Sequence, residues 1–351
     1  MVDISQIGEF GLIKRIRRGL GYKNKEVKEV VVGIGDDCAA IKLTKGLLLI
    51  ATTDSLVEGV HFKLNTISPS LLGKKSVATN ISDIAAMGGI PRYLLITIGI
   101  PPSLSVEYID SLYKGIKEAT ESYNVIVIGG DTFRSDDRLI ISITLIGEIE
   151  EEFLVRRGGA KVGDKIFVTG SLGDSALGLE ILESGINDSR SVKVTQQSSP
   201  QSSPIDEIIS RHILPTPRLE EGRVLATKGL ASAMIDISDG LASDLRRICE
   251  ESVVGARIYL KELPISDTLN NIVFTQDKSP YDYALYGGED YELLFTVRGD
   301  KVKDILRYWE GMKTPIKEIG EIIEEDEGIV LIDEAYNIIP LIRDGYDHFL
   351  K

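Results

Sequence analysis

Histidine and cysteine are scarce in this 351-residue chain, with three of the first and two of the second. Cys38 and Cys249 stand far apart with no C-x-x-C spacing, which excludes a disulfide framework and a thiolate zinc site. His61, His212 and His348 are scattered, so a histidine-rich transition-metal centre is excluded as well. Basic residues are outnumbered, 40 Lys and Arg against 54 Asp and Glu, for a net charge of −14. That balance argues against nucleic acid as a partner, because phosphate backbones need clustered cations. A small phosphorylated ligand stays open, since acidic proteins hold such ligands through Mg²⁺. Long apolar runs are missing too. The longest, Tyr93 to Ile100, is far too short to span a bilayer, and the first residues, with Asp3 and Glu9, do not read as a secretory signal. The expectation is a soluble cytoplasmic protein with no membrane partner. Several signatures are also absent: G-x-x-x-x-G-K-[ST], G-x-G-x-x-G, H-E-x-x-H and G-x-S-x-G. P-loop enzymes, Rossmann dehydrogenases, zincins and α/β-hydrolases are set aside on that ground.

What the chain does have is core material, 43% hydrophobic and 27% charged residues, which excludes wholesale disorder. Its length predicts two domains, or one large one. Periodicity predicts helices over 5–20, 68–88, 105–123, 217–229 and 240–251. Strand-like runs fall at 30–32, 47–53, 93–100, 125–128, 139–149, 165–169, 231–237, 256–260 and 291–297. Strands alternate with helices in both halves, so the class is mixed α and β. The pattern breaks around Glu150 to Arg157, which places one domain at 1–150 and the second at 151–351. Residues 187–205 are Ser-, Pro- and Gln-rich and read as a mobile surface loop without chemistry.

Aspartate recurs at the predicted strand ends beside glycine or a small hydroxyl residue. The instances are Gly35-Asp36-Asp37, Thr52-Thr53-Asp54, Asn80-Ile81-Ser82-Asp83, Gly129-Gly130-Asp131-Thr132 and Asp236-Ile237-Ser238-Asp239. Glycine lets backbone N–H groups approach an anion, and carboxylates are hard ligands for Mg²⁺ that bridges to phosphate. Asp83 and Asp239 are read as preceding helices, where the dipole favours negative charge. One aspartate in such a place is most often a turn former or a helix cap. Five recurrences point to a phosphate site built on several Mg²⁺ ions.

The runs GIGDDCA (33–39), TTDSLVEGVHF (52–62), NISDIAAMGG (80–89), GGDT (129–132), RRGGAKVGD (156–164), IDISDGLASDL (235–245), YGGEDYELLF (286–295) and GYDHF (345–349) are collinear. Together they resemble the thiamine-monophosphate kinase family, within the aminoimidazole-ribonucleotide synthetase-like ATP enzymes. The resemblance implies a two-domain α/β (α+β) fold with an N-terminal mixed sheet that pairs across a homodimer, and a C-terminal α/β domain completing the site. It implies ATP as co-substrate and Mg²⁺ held at Asp36, Asp37, Thr53, Asp54, Asp83, Asp131, Asp236 and Asp239. Nucleotide contacts carry over to Gly130, Asp131, Arg157, Ser238 and the helix residue Tyr113. Thiamine phosphate contacts carry over to His61, Glu289 and Tyr346. One departure stands out: Lys74 occupies a place where the family usually has an aromatic residue before Lys75.

The implied reaction is ATP plus thiamine phosphate giving thiamine diphosphate and ADP. A phosphate monoester with a second pKa of about 6 is already largely dianionic at neutral pH, so direct transfer needs no general base. Arg157 and Arg134 could add fixed positive charge to the transferring group. Selenophosphate synthetase-like chemistry expects a reactive cysteine in an N-terminal glycine-rich loop, a setting neither cysteine has. A non-catalytic Mg-nucleotide module is the rival of another class, and an ADP-release assay separates it.

Overall fold

The computed structural model describes residue 12 and residues 15–20, 30–32, 40–184, 203–273, 279–343 and 345–346. They fall into two compact units, one of residues 1–84 and 89–152, the other of 85–88 and 153–351. Residues 15–19 are helical, within the helix expected over 5–20. Two short strands, β1 (Val30–Val32) and β2 (Ala40–Ile41), pair antiparallel. Asp36 and Asp37, in the segment joining them, lie outside the described residues.

The first unit is built on β3 (Leu48–Val57), β4 (Ile90–Ile100), β5 (Ile126–Arg134) and β6 (Ile140–Ile149), in the order β3-β6-β4-β5. Only β4 and β5 run parallel, joined through helix α2 (Val106–Ser122). Helix α1 (Pro69–Ala86) precedes β4. Strand alternation explains which face these helices cover. Ile50, Thr52, Asp54 and Leu56 are more buried than Leu49, Ala51, Thr53 and Ser55, because successive strand residues point to opposite faces. The two helices cross closely at glycines. A Cβ on Gly73 would stand 2.2 Å from the Leu112 carbonyl oxygen, and one on Gly115 would stand 1.8 Å from that of Ser70. Lys74 does not break this packing, since its Nζ pairs with Glu118 Oε2 of α2 at 2.7 Å.

The second unit carries a sheet ordered β13-β12-β9-β11-β7-β10-β8. Its strands are β7 (Lys165–Thr169), β8 (Ala233–Asp236), β9 (Gly255–Tyr259), β10 (Leu293–Val297), β11 (Ile316–Ile323), β12 (Ile329–Ile332) and β13 (Ile338–Pro340). Central strands here are apolar on both faces, the mark of a sheet with two cores. Ile166, Val168, Ala233, Ile235 and Leu294 enter one core with Leu241, Leu245 and Ile248 of helix α6 (Leu241–Ser252). Phe167, Met234, Leu293, Phe295 and Val297 enter the other with Leu225 of α5 (Leu219–Thr227) and Trp309 of α9 (Val302–Trp309). Phe167 stacks on Phe295 at 5.7 Å between centroids. Each fully buried side chain of this kind contributes about 1.5–3 kcal/mol. The remaining helices are α3 (Asp174–Ser184), α4 (Pro204–Ile213), α7 (Asp267–Val273) and α8 (Pro280–Tyr286).

Four expectations need correction. Strand β5 does not stop at residue 128 but runs through Gly129-Gly130-Asp131 to Arg134, and Asp54 lies inside β3, because pairing with β4 and β6 continues past the polar residues. Asp83 does not precede a helix; it sits near the C-terminal end of α1. Residues 203–205 are not loop. Ser203 caps α4 in a reciprocal capping box with Asp206, and Pro204 and Ile205 begin the helix. The rest of that polar stretch lies outside the described residues.

Candidate functional site

In the first unit the candidate ligands divide by sheet face. Asp54 shares the helix-covered face with Thr52, whose hydroxyl donates to Asp83 Oδ2. Thr53 is adjacent to Asp54 on the strand and points to the opposite face, where its hydroxyl donates to the Ile143 carbonyl at 3.0 Å. Asp131 is in register with Thr97 and Ser142, and Ser142 receives the Ser55 hydroxyl at 2.9 Å, which puts Asp131 on Thr53's face. The strand's period of two therefore gives no joint side-chain ligation by Thr53 and Asp54.

Gly130 is required by close approach. A Cβ there would stand 1.9 Å from the Ile96 carbonyl oxygen on β4. Just before it, Ile128 is the extra residue of a register shift opposite Leu94 and Leu95. Such a bulge re-aims the residues that follow it. Tyr113 is buried in α2, and burial pushes its phenol well above the ordinary range. His61 lies just beyond β3, where its Nδ1 accepts the Val57 N–H at 3.0 Å. In the neutral ring the proton then sits on Nε2, leaving that nitrogen as a donor.

In the second unit three motif segments that are remote in sequence meet at one loop. Asp236 ends β8 with its side chain buried, and Ser238, Asp239 and Gly240 lead into α6. Glu289 N–H donates to the Ser238 carbonyl at 2.7 Å, Tyr291 N–H to that of Ile237 at 2.8 Å, and Tyr346 N–H to that of Asp239 at 2.9 Å. A Cβ on Gly345 would lie 2.0 Å from the Asp239 oxygen, so glycine is what lets the C-terminal segment close on the loop. Glu289 and Tyr291 both hold left-handed backbone, φ 65° and 51°. Each such residue costs about 1–3 kcal/mol, a strain that clusters where side chains must be aimed. Tyr346 is half exposed, Arg157 is exposed and Ser238 is partly buried.

Residues without an assigned role prove to hold this loop. Asp244 Oδ2 accepts the N–H groups of Ser238 and Asp239 at 3.1 and 3.2 Å. Burial, then the nearby Asp239 charge, pushes its carboxyl up to about 7, and Arg247 opposes this. Arg247 also binds Asp239 Oδ2 at 2.5 Å. Asp290, partly buried, accepts from the N–H groups of Gly173 and Ser175 at the start of α3; loss of solvent around the group holds its carboxyl well above the usual range. The sequence did carry a signal for Asp244, four residues after a glycine that opens a helix. Asp290 lies within the 286–295 motif, but its partners are more than a hundred positions away, so its role was not legible.

All candidate metal ligands are hard oxygen donors, the chemistry that suits Mg²⁺. Among the described residues no three His, Cys, Asp or Glu side chains stand close enough to cage an ion by themselves. Mg²⁺ does not require such a cage, since one or two carboxylates and substrate phosphates ordinarily share it. No helix among the described residues is long and apolar enough to cross a membrane.

Residues 35–149 match the family described as AIR synthase related protein, N-terminal domain, and residues 161–333 match its C-terminal domain. The thiamine-monophosphate kinase of Bacillus subtilis is 38% identical over 322 residues, 91% of this chain and 94% of that protein. The crystal structure of thiamine-monophosphate kinase from Stenotrophomonas maltophilia superposes with a TM-score of 0.77 at 32% identity, covering 93% of this chain and 96% of that one. The structure of AaThiL complexed with AMPPCP and TMP superposes with a TM-score of 0.73 at 34% identity, covering 99% of both chains.

Proposed function

Because the chain belongs to the thiamine-monophosphate kinase family, we propose that it transfers the γ-phosphoryl group of ATP directly to the phosphate of thiamine monophosphate. The observation that carries this reading is the closure of Glu289 and Tyr346 onto the loop of Asp236, Ser238 and Asp239 through backbone hydrogen bonds. It brings together residues to which the family pattern assigns substrate, nucleotide and metal contacts.

The acceptor phosphate is its own nucleophile, being largely dianionic at neutral pH. The barrier is therefore electrostatic, since one anion must approach another in line with the leaving group. Mg²⁺ held by this chain's carboxylates would supply the positive charge that lets the two anions approach. The residues that would hold Mg²⁺ are Asp36, Asp37, Asp54, Asp83, Asp131, Asp236 and Asp239, with Thr53 on the sheet face of Asp131, opposite that of Asp54. Gly130 and Asp131, Ser238 and Arg157 bind the nucleotide, with Tyr113 beside the adenine. Arg157 also steadies the charge of the transferring group. His61 donates from Nε2 to thiamine phosphate, and Glu289 and Tyr346 complete its site.

We assign the reaction to the cytoplasm, where ATP and Mg²⁺ are abundant, and the active form to a homodimer. Support for the dimer comes from the exposed face of the first sheet, which carries Leu49 and Phe133 at 48% and 42% exposure. Product separation after incubation with ATP, Mg²⁺ and thiamine monophosphate tests the reading. One thiamine diphosphate per ADP is expected; ADP formed without thiamine diphosphate would overturn it.

A further inference from the structure

Helix α4 follows a stretch of sequence with no recognisable motif, yet its last turn delivers a buried imidazole to Glu289. His212 is 5% exposed, and its Nδ1 stands 3.2 Å from Glu289 Oε2 and 3.2 Å from Ser175 Oγ. The helix is brought in by Gly178 of α3, where a Cβ would stand 2.6 Å from the Ile208 carbonyl oxygen and 3.2 Å from His212 Cβ. Ser175, one turn earlier on α3, has its N–H on Asp290, the neighbour of Glu289. Backbone and side chain of Glu289 are thus fixed by separate elements. Its N–H is tied to the Ser238 carbonyl, its φ is held at 65°, and its carboxylate meets α4.

From this geometry we infer that His212 is a positioning residue for thiamine monophosphate, acting through Glu289. The inference rests on the reading of Glu289 as a contact to that substrate. Nδ1 faces both the Glu289 carboxylate and the Ser175 hydroxyl at 3.2 Å; because a carboxylate only accepts, the contact with Glu289 is a hydrogen bond in the state that carries the hydrogen on Nδ1. The bond selects one orientation of the Glu289 carboxylate before substrate arrives. Without it the side chain must be ordered by the substrate itself, and part of the binding free energy is spent on that. The effect falls on recognition of thiamine monophosphate and leaves ATP untouched.

The test compares His212→Leu, His212→Asn and Glu289→Gln in the full chain, with KM measured for each substrate and melting temperature measured beside it. Asn places an amide N–H where Nδ1 was; Leu places none. His212→Leu should raise the KM for thiamine monophosphate roughly tenfold, as expected for losing one hydrogen bond to a charged group, with the KM for ATP within about twofold. His212→Asn should restore the KM for thiamine monophosphate to within about threefold of the parent, whatever its melting temperature. A purely structural role would make both variants lose both substrates alike, and that result overturns the inference. Should His212→Leu not fold, His212→Gln against His212→Asn serves instead, because Gln reaches toward the place of Nε2 and misses that of Nδ1. Equal KM values for those two overturn the inference. If Glu289→Gln raises the KM for thiamine monophosphate and His212→Leu does not, the positioning role falls and the substrate reading stands. If Glu289→Gln leaves that KM unchanged, the substrate reading falls and the inference falls with it.

Discussion

Removing Arg218 should be among the most damaging single changes in the second unit, although it bears no assigned role in the reaction. Glu292 is 2% exposed and directly precedes β10. Its carboxylate receives Arg218 Nε at 2.6 Å, a second guanidinium nitrogen, and the Thr169 hydroxyl at 2.6 Å. Arg218 Nη1 continues to Thr314 Oγ1 at 3.3 Å, and that hydroxyl donates to Glu221. The change Arg218→Met keeps most of the volume and leaves a buried carboxylate without its cation. Breaking a buried pair from one side costs about 3–5 kcal/mol. For a unit of this size that corresponds to a fall in melting temperature of roughly 6–20 °C. Adding Glu292→Gln removes the orphaned charge while keeping an acceptor for Thr169, so the double variant should recover at least half of the loss. Calorimetry on the parent, both single variants and the double variant gives the answer. Additive losses, or a single-variant loss below about 1 kcal/mol, would refute the reasoning.

Asp83→Asn keeps an acceptor for the Thr52 hydroxyl and loses a charged ligand, so activity should fall by about 10–100-fold or more with little change in melting temperature, read from initial rates at limiting Mg²⁺. Gly130→Ala must move the Ile96 carbonyl, and thermal unfolding should show a loss of about 2 kcal/mol or more. Asp290→Asn keeps one acceptor oxygen, enough for the Gly173 N–H, gives up the acceptor of the Ser175 N–H, and removes the ionisable group. Because burial raises the carboxyl in the folded state, the parent's stability from this group is present at acid pH and is lost as pH rises. The Asn variant should therefore gain on the parent from pH 5 to pH 8 in urea midpoints, and a constant difference would contradict it. Light scattering at micromolar concentration should give twice the chain mass.

How far the sequence could be read depended on how local each signal was. Helix α1 was legible over 68–88, and it forms from Pro69 to Ala86. The strands β7, β8 and β10 were legible as apolar runs, while their division between two cores came only with the structure. The end of β5 was misread because Gly129, Gly130 and Asp131 look like a turn, while pairing with β4 keeps them extended. Helix α4 was hidden by composition. Its Ser203-Pro204-x-Asp206 cap is a start signal, but it closes a run of serine, proline and glutamine that reads as loop. His61 and Glu289 could be singled out only through a family pattern. Nothing local separates His212 from a core histidine, because its partners Ser175 and Glu289 come from distant parts of the chain.

Transfer straight from ATP to an already ionised acceptor is the central claim, and the path of the γ-phosphoryl group tests it most directly. The enzyme is incubated with γ-labelled ATP and Mg²⁺, with and without thiamine monophosphate, and quenched without acid so that any phosphohistidine survives. Label is expected in thiamine diphosphate when the acceptor is present, and the protein, His61 included, is expected to stay unlabelled when it is absent. Stoichiometric label on the chain, chased into thiamine diphosphate when acceptor is added, would show a covalent route and contradict the account.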